Sequence, residues 1–325
     1  MTENAKGALI GLAPMAGVTD LPMREICYQM GATYACTEMV SAVGWMCAKR
    51  DNPAYLQLLE TSAAEPNTAI QLFGRDPVAM GEAAARACEV GRFTSVDINM
   101  GCPARKVTSS GEGSALLKTP DLAAKIMQSV KSSSWLPVTV KTRLGYDEQS
   151  MNALALAQAA QALGLRWICI HGRTRAQMYS GQADYEAIAA IRQQVQIPVL
   201  ANGDVVTAAD ALRALRITGC YGLLVGRGAM GNPWLFRAIR QALAGEAEQP
   251  VTEDERLTMA LAHIDRMAEV KGLRQGLVEM RTHLGHYISG VRGAAGFRRA
   301  LNAAQTPQEQ KALLRQLFAR EEQEV

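Results

Sequence analysis

Along the first two-thirds of the chain, short apolar runs recur, and each stops at glycine, proline or a polar group. The runs are ALIGLAPM, YACTEMV, TAIQLFG, SVDINMG, PVTVKTRLG, WICIHGR, PVLANGD and YGLLVGRG. Each has the length of a buried strand. Between most of them lie alanine-rich segments, such as DPVAMGEAAARACEVG and MNALALAQAAQALG, whose apolar positions follow helical spacing. Strand and helix alternate, so the sheet is expected to be parallel. Eight such units in about 240 residues predict a TIM (β/α)8 barrel, an α/β fold, with a doubly wound open sheet as the competing arrangement. After Gly245 the pattern changes. GEAEQPVTEDE reads as a polar linker, and everything beyond it has helical periodicity. TEDE predicts a helix start, with Thr252 as N-cap and Glu255 at the third position. The expected organisation is a barrel domain over residues 1–245 and a small all-helical domain over 246–325. The acidic end EEQEV is read as frayed.

Composition narrows the class. With 325 residues, 48% hydrophobic and 20% charged, the chain is ordinary for a globular protein. A net charge of +3 is too small to announce a nucleic-acid partner by itself. Seven cysteines, odd in number and without a CxxC, argue against a disulfide framework or zinc module and fit a reducing compartment. The opening MTENAKGALIGLAPMAGVTD is only briefly apolar and is interrupted by Pro14 and Asp20, which makes it a poor signal peptide. No run of about 20 apolar residues exists for a membrane span. The expectation is a cytoplasmic monomer with no membrane partner.

Polar residues gather at the predicted strand ends: Gln71, Asn99 and Cys102, Lys141 and Arg143, His171 and Arg173, Asn202 and Asp204, and Arg227. Taken singly, each has an ordinary reading: a surface lysine, a core histidine, a cysteine buried as a small hydrophobe. Taken together at the carboxyl ends of barrel strands, where active sites sit, they must be solvated or bound to something. GRGAMG, from Gly226 to Gly231, matches GxGxxG, but it closes the series of strands and no second strand with a terminal acid follows. In a barrel the same glycines let backbone N–H groups approach a phosphate. No HxH, HExxH or Cys/His cluster occurs among only four histidines, so no metal is expected. No GxSxG elbow points to a serine hydrolase. The remaining pattern suits a cofactor with a phosphate at one end and an electron-rich ring at the other. NGD and GRG would hold the phosphate, and Lys141 would stabilise negative charge on the ring.

The ordered set APMAGVTD, INMGCPARKV, GSALLK, VKTRLGY, IHGRTR, ANGD and VGRGAMGNPW resembles the tRNA-dihydrouridine synthases, most of all the bacterial B type, from about residue 8 to 240. The resemblance implies an FMN-dependent TIM barrel with a C-terminal helical tRNA-binding domain and NADPH, or NADH, as electron donor. It implies that Pro14, Met15 and Ala16 pack against the isoalloxazine. Gln71, Lys141 and His171 would bond the flavin ring or its side chain. Asn202, Gly203, Asp204, Gly226 and Arg227 would hold the ribityl phosphate. Asn99, Arg143 and Arg173 fall to the substrate, Lys106 to RNA phosphate, and Cys102 to proton donation. Hydride from flavin N5 would go to uracil C6, and a proton must then arrive at C5. A thiol, with an ordinary pKa of about 8.5, still carries that proton at neutral pH.

The helical tail adds a charge pattern. Lys271, Arg274, Arg281, Arg292, Arg298 and Arg299 stand against Glu279, with His263, His283, His286, Tyr287 and Phe297 interleaved. Beside a flavin barrel, such a patch suits positioning on a phosphate backbone, with Arg298 and Arg299 assigned to tRNA. Shape recognition of folded RNA is expected, since no base-reading motif occurs. Two other functions compete: a flavin barrel acting on a small pyrimidine, of the dihydroorotate-dehydrogenase kind, and a non-catalytic RNA-binding barrel. The basic tail argues against the first and the polar strand ends against the second.

Overall fold

A computed structural model describes residues 7–322 of the chain. The first six residues of the segment weighed as a signal peptide, and the last three of the acidic end, lie outside the described residues. Eight strands form one sheet: β1 (Leu9–Leu12), β2 (Ala35–Ser41), β3 (Thr68–Phe73), β4 (Ser95–Met100), β5 (Val138–Arg143), β6 (Trp167–His171), β7 (Val199–Asn202) and β8 (Gly222–Val225). All neighbours pair in parallel, in the order β1-β8-β7-β6-β5-β4-β3-β2. The two edges then meet. Gly11 bridges Tyr34 in parallel, the Leu12 N–H donates to the Tyr34 carbonyl at 2.8 Å, and the Thr33 N–H donates to the Ile10 carbonyl at 2.9 Å. This closure makes the sheet a barrel and excludes the open arrangement.

The strands are apolar on both faces because both are covered. Helices such as Pro77–Val90 and Ala153–Ala162 pack their alanine faces outside, as their spacing predicts. Inside, Tyr34, Cys36, Trp167, Cys169, Leu200 and Leu224 fill the barrel, with the Tyr34 and Trp167 rings edge to face at 5.1 Å. Gly222 lets β1 approach β8, since a Cβ there would lie 2.1 Å from the Leu9 carbonyl oxygen. With every strand parallel, all carboxyl ends open at one mouth.

Four helices follow the linker: Glu253–Lys271, Leu273–Tyr287, Ala294–Ala303 and Pro307–Glu322. Thr252 caps the first, its hydroxyl accepting from the Glu255 N–H at 3.1 Å. They bury their own core around Ile264, Met280, Leu284, Tyr287 and Leu317, and Trp234, which follows β8, inserts into it. Ion pairs tie the bundle to the barrel: Arg266 to Glu25 at 2.8 Å, Arg237 to Glu255 at 2.7 Å and Lys271 to Asp20 at 2.9 Å. No helix among the described residues is long and apolar enough to cross a membrane.

The basic patch is thinner than its composition. Lys271 is buried between Asp20 and Glu279. Arg281 bonds the Ala304 carbonyl, and His263, His283 and Tyr287 are core residues. Arg274, Arg292, Arg298 and Arg299 remain exposed. The inward residues are drawn in by carboxylates and by the apolar face of the bundle, neither of which a local charge count registers.

Candidate active site

At the mouth lies a cavity of about 700 Å³. Fourteen of the residues singled out from the sequence line it: Pro14, Met15 and Ala16 after β1, Gln71 on β3, Asn99 and Cys102 at the end of β4, Lys141 and Arg143 on β5, His171 on β6, Asn202, Gly203 and Asp204 at the end of β7, and Gly226 and Arg227 after β8. The fold thus brings together groups scattered over more than two hundred residues.

A directed hydrogen-bond chain places the cysteine. Asp97 is fully buried on β4 and accepts from Gln71 Nε2 at 2.7 Å and Thr139 Oγ1 at 2.6 Å. Burial pushes its carboxyl up to about 6 despite these two bonds. With its amide nitrogen on Asp97, Gln71 must turn Oε1 toward Asn99, whose Nδ2 donates at 3.0 Å. Asn99 is thereby left with Oδ1 facing the turn, where it accepts from the N–H groups of Gly101 at 3.1 Å and Cys102 at 2.9 Å. The turn is pinned on its other side. Arg143 Nε donates to the Gly101 carbonyl at 3.0 Å, and Ser114 Oγ donates to the Cys102 carbonyl at 2.8 Å. A buried carboxylate therefore sets the orientation of the thiol-bearing turn through two amides.

From β5 round to β8 the wall is cationic. Lys141 is half-buried, desolvation lowers its pKa, and its Nζ donates to Asn202 Oδ1 at 2.9 Å. Asn202 Nδ2 is in turn held by the Leu224 carbonyl at 2.7 Å. Arg227 is half exposed and lies 4.1 Å over the Tyr179 ring. Burial, together with Lys141, Arg143, Arg173 and Arg227, pushes His171 down to about 2, so its imidazole is neutral.

Two assignments change. Arg173 does not line the cavity. It is buried, its Nη atoms bind both Asp204 oxygens at 2.8 and 2.6 Å, and it also donates to the Ser180 and Gly181 carbonyls. A carboxylate within reach claims the guanidinium, so Arg173 locks the loop after β6 onto the turn after β7. Asp204 is correspondingly committed. Burial alone would raise its pKa, but Arg173 and the Ala183 N–H hold it below the usual carboxylate range, and it keeps a left-handed φ of 51°. Its carboxylate fixes the loop. Lys106 is exposed on the short helix Arg105–Thr108 beside the cysteine turn, and Arg298 and Arg299 lie away from the cavity on the helical domain. Sequence reading missed Met39, Met178 and Tyr179, which also line the cavity. An aromatic residue in the otherwise polar stretch RTRAQMYSGQAD was the available signal.

A family model described as dihydrouridine synthase matches residues 11–323. The chain belongs to the dihydrouridine synthase family. It is 42% identical over 96% of its length to a probable tRNA-dihydrouridine synthase of Rhodobacter capsulatus, covering 95% of that protein. It is 40% identical over 95% of its length to tRNA-dihydrouridine synthase B of Pseudomonas aeruginosa, covering 92% of that protein. Among solved structures, histamine dehydrogenase from Rhizobium sp. 4-9 matches 96% of this chain and 62% of its own, with TM-score 0.57 and 11% identity, a likeness of fold. Within this dihydrouridine synthase, the segments INMGCPARKV, VKTRLGY and IHGRTR contribute to the hydrogen-bond chain, the cationic wall and the Arg173 lock.

The neutral His171 makes stability pH-dependent with a definite sign. The unfolded chain takes up a proton as pH falls below about 6.5, whereas the folded site does not. The contribution is therefore complete above that pH and lost below it, at about 1.4 kcal/mol per pH unit. In urea unfolding of cofactor-free protein, the stability advantage of wild type over His171→Asn should shrink as pH falls from about 7.5 to 5. Asp97 titrates in both proteins and cancels. A pH-independent difference would show that His171 is not held neutral.

Proposed function

We propose that this chain is a tRNA-dihydrouridine synthase of the bacterial B type, working in the cytoplasm as a monomer. It reduces the C5=C6 bond of particular uridines in tRNA, with FMN at the barrel mouth and NADPH as electron donor. The observation that carries the reading is one cavity joining a cationic wall, a glycine-lined floor and a pinned thiol. The residues fit the cofactor. A Cβ at Gly226 would meet nothing closer than Met15 Sδ at 3.8 Å, so a side chain there would project into the cavity. Lys141, with one donor on Asn202, has others for the flavin ring, and Pro14 to Ala16 supply apolar surface. Gly203, Gly226 and Arg227 serve the phosphate.

When bound, reduced FMN supplies hydride for uracil C6. The protein handles the charge and the proton. Arg143 is lowered by burial to about 10, remains cationic at neutral pH, and stabilises negative charge developing toward O4. Cys102 holds a proton on Sγ and delivers it to C5; solvent then reprotonates the thiolate. Asn99, by way of the turn amides, is a positioning residue for Cys102 more than a substrate contact. The uridine must leave its stack to reach this depth. Arg105 and Lys106 at the mouth, and the exposed arginines of the bundle, meet RNA phosphates. A small pyrimidine would need none of that outer charge.

In Cys102→Ala, FMN content, reduction by NADPH and tRNA binding should stay near wild type, while reoxidation by unmodified tRNA slows about 10²–10⁴-fold, the usual loss for a general acid. Rapid mixing of reduced enzyme with tRNA measures this. Reoxidation at the wild-type rate with dihydrouridine formed would remove Cys102 from the mechanism.

Charge reversal at Arg298 and Arg299 to Glu should weaken tRNA binding and flatten its salt dependence, because fewer counterions are released. Filter binding across a salt series, with FMN content as the folding control, reads the effect. An unchanged affinity and slope would mark these arginines as a solvated face.

A further inference from the structure

The bundle meets the barrel over a buried polar cluster that the reaction does not use. Asp20 caps the helix Leu21–Gln29, while His263 and His283 come from the first two helices of the bundle. All three are essentially inaccessible, and one potential ligand atom from each lies within 4.8 Å of the others. The two imidazole rings are 4.5 Å apart between centroids. His263 Nδ1 meets the Tyr287 hydroxyl at 3.2 Å, which leaves Nε2 without a partner, and neither nitrogen of His283 has one. Unpartnered polar atoms at this depth are destabilising unless something binds them.

We propose that Asp20, His263 and His283 form a binding site for a divalent transition-metal ion, with zinc the ion its donor set fits, and that the ion clamps the helical domain to the barrel. Two imidazoles and one carboxylate are borderline ligands that favour zinc over magnesium or calcium. Tetrahedral zinc needs donors about 3.4 Å apart, so modest side-chain rotation closes the set. The surroundings have the form of an outer ligand shell. Tyr287 orients His263, and Lys271 Nζ sits 2.9 Å from Asp20 Oδ2, leaving Oδ1, which also accepts from the Met23 N–H at 3.1 Å. Burial keeps both imidazoles in the neutral form that binds metal. Charge also fits. The Lys271 ammonium faces Asp20 and Glu279, and Glu38 lies within electrostatic reach of all three, so carboxylates outnumber the fixed cation; His286 is the other titratable neighbour. Lys271 and Glu279, beside the cluster, also line a surface cleft. The expectation from the sequence that no metal binds rested on local motifs. The two histidines lie twenty residues apart and Asp20 more than two hundred residues before them, so the set matches none of those motifs.

Full-length protein, stripped by a chelator and then given equimolar zinc, should take up about one ion per chain by elemental analysis. Its unfolding temperature should rise by several degrees. The His263→Ala/His283→Ala protein should take up less than about one-tenth of an equivalent and show no zinc-dependent shift, whatever its own stability. Magnesium should shift neither. If the double variant does not fold, Asp20→Asn, which keeps a good N-cap, should bind zinc more weakly. X-ray absorption at the zinc edge of wild type should then show imidazole scattering without sulfur. Absence of stoichiometric uptake, an equal shift in the variants, or a sulfur shell would each overturn the site.

Discussion

A carboxylate buried at the centre of a barrel must be satisfied from within, and the way Asp97 is satisfied organises the mouth. Its two bonds, from Thr139 and Gln71, leave each following amide only one orientation, so polarity is transmitted from Asp97 through Gln71 and Asn99 to the backbone of Cys102. Such a network is worth having only when every member is paired, because low dielectric makes a missing partner costly. The cysteine turn is thereby fixed before any ligand arrives. Arg143, bonded to Gly101 on the same turn, is fixed with it.

The cationic wall obeys the same rule on the other side. Lys141 is held by Asn202, Asn202 by the β8 backbone, and Arg173 by Asp204. Arg143 and Arg173 are each held by several acceptors, whereas Lys141 has the single Asn202 tether. Lys141 and Arg227, the less tethered of these groups, are those proposed for the cofactor. This division explains why arginines two strand positions apart, Arg143 and Arg173, serve different ends: one lines the cavity and the other locks a loop.

Much of this was legible in the chain. Eight apolar runs became eight strands, and Thr252 capped its helix, because strand burial and capping are local. Closure of the sheet was expected from the count of eight units, but its seam, the bridge between Gly11 and Tyr34, was not legible, since it depends on tilt and register summed around the whole barrel. The gathering of polar strand ends was readable once strands were parallel. The partner of Arg173 was not, because which carboxylate reaches a guanidinium is settled by loop conformation. Asp97 lay inside SVDINMG, read only as a buried strand, and nothing local marks the pairing of its carboxylate with Gln71 and Thr139. Lys271, His263 and His283 read as surface charge because Asp20, which draws them inward, lies more than two hundred residues away.

The proposed function requires that the reducible ring be a uridine within RNA and that a free base not suffice. Single-turnover reoxidation of NADPH-reduced enzyme tests this directly, comparing unmodified tRNA with free pyrimidines such as uridine monophosphate and orotate. The account predicts rapid reoxidation by tRNA, with about one dihydrouridine formed per flavin, and none above the solvent background with the free compounds. Equal or faster reoxidation by a free pyrimidine, or none by tRNA, would contradict it.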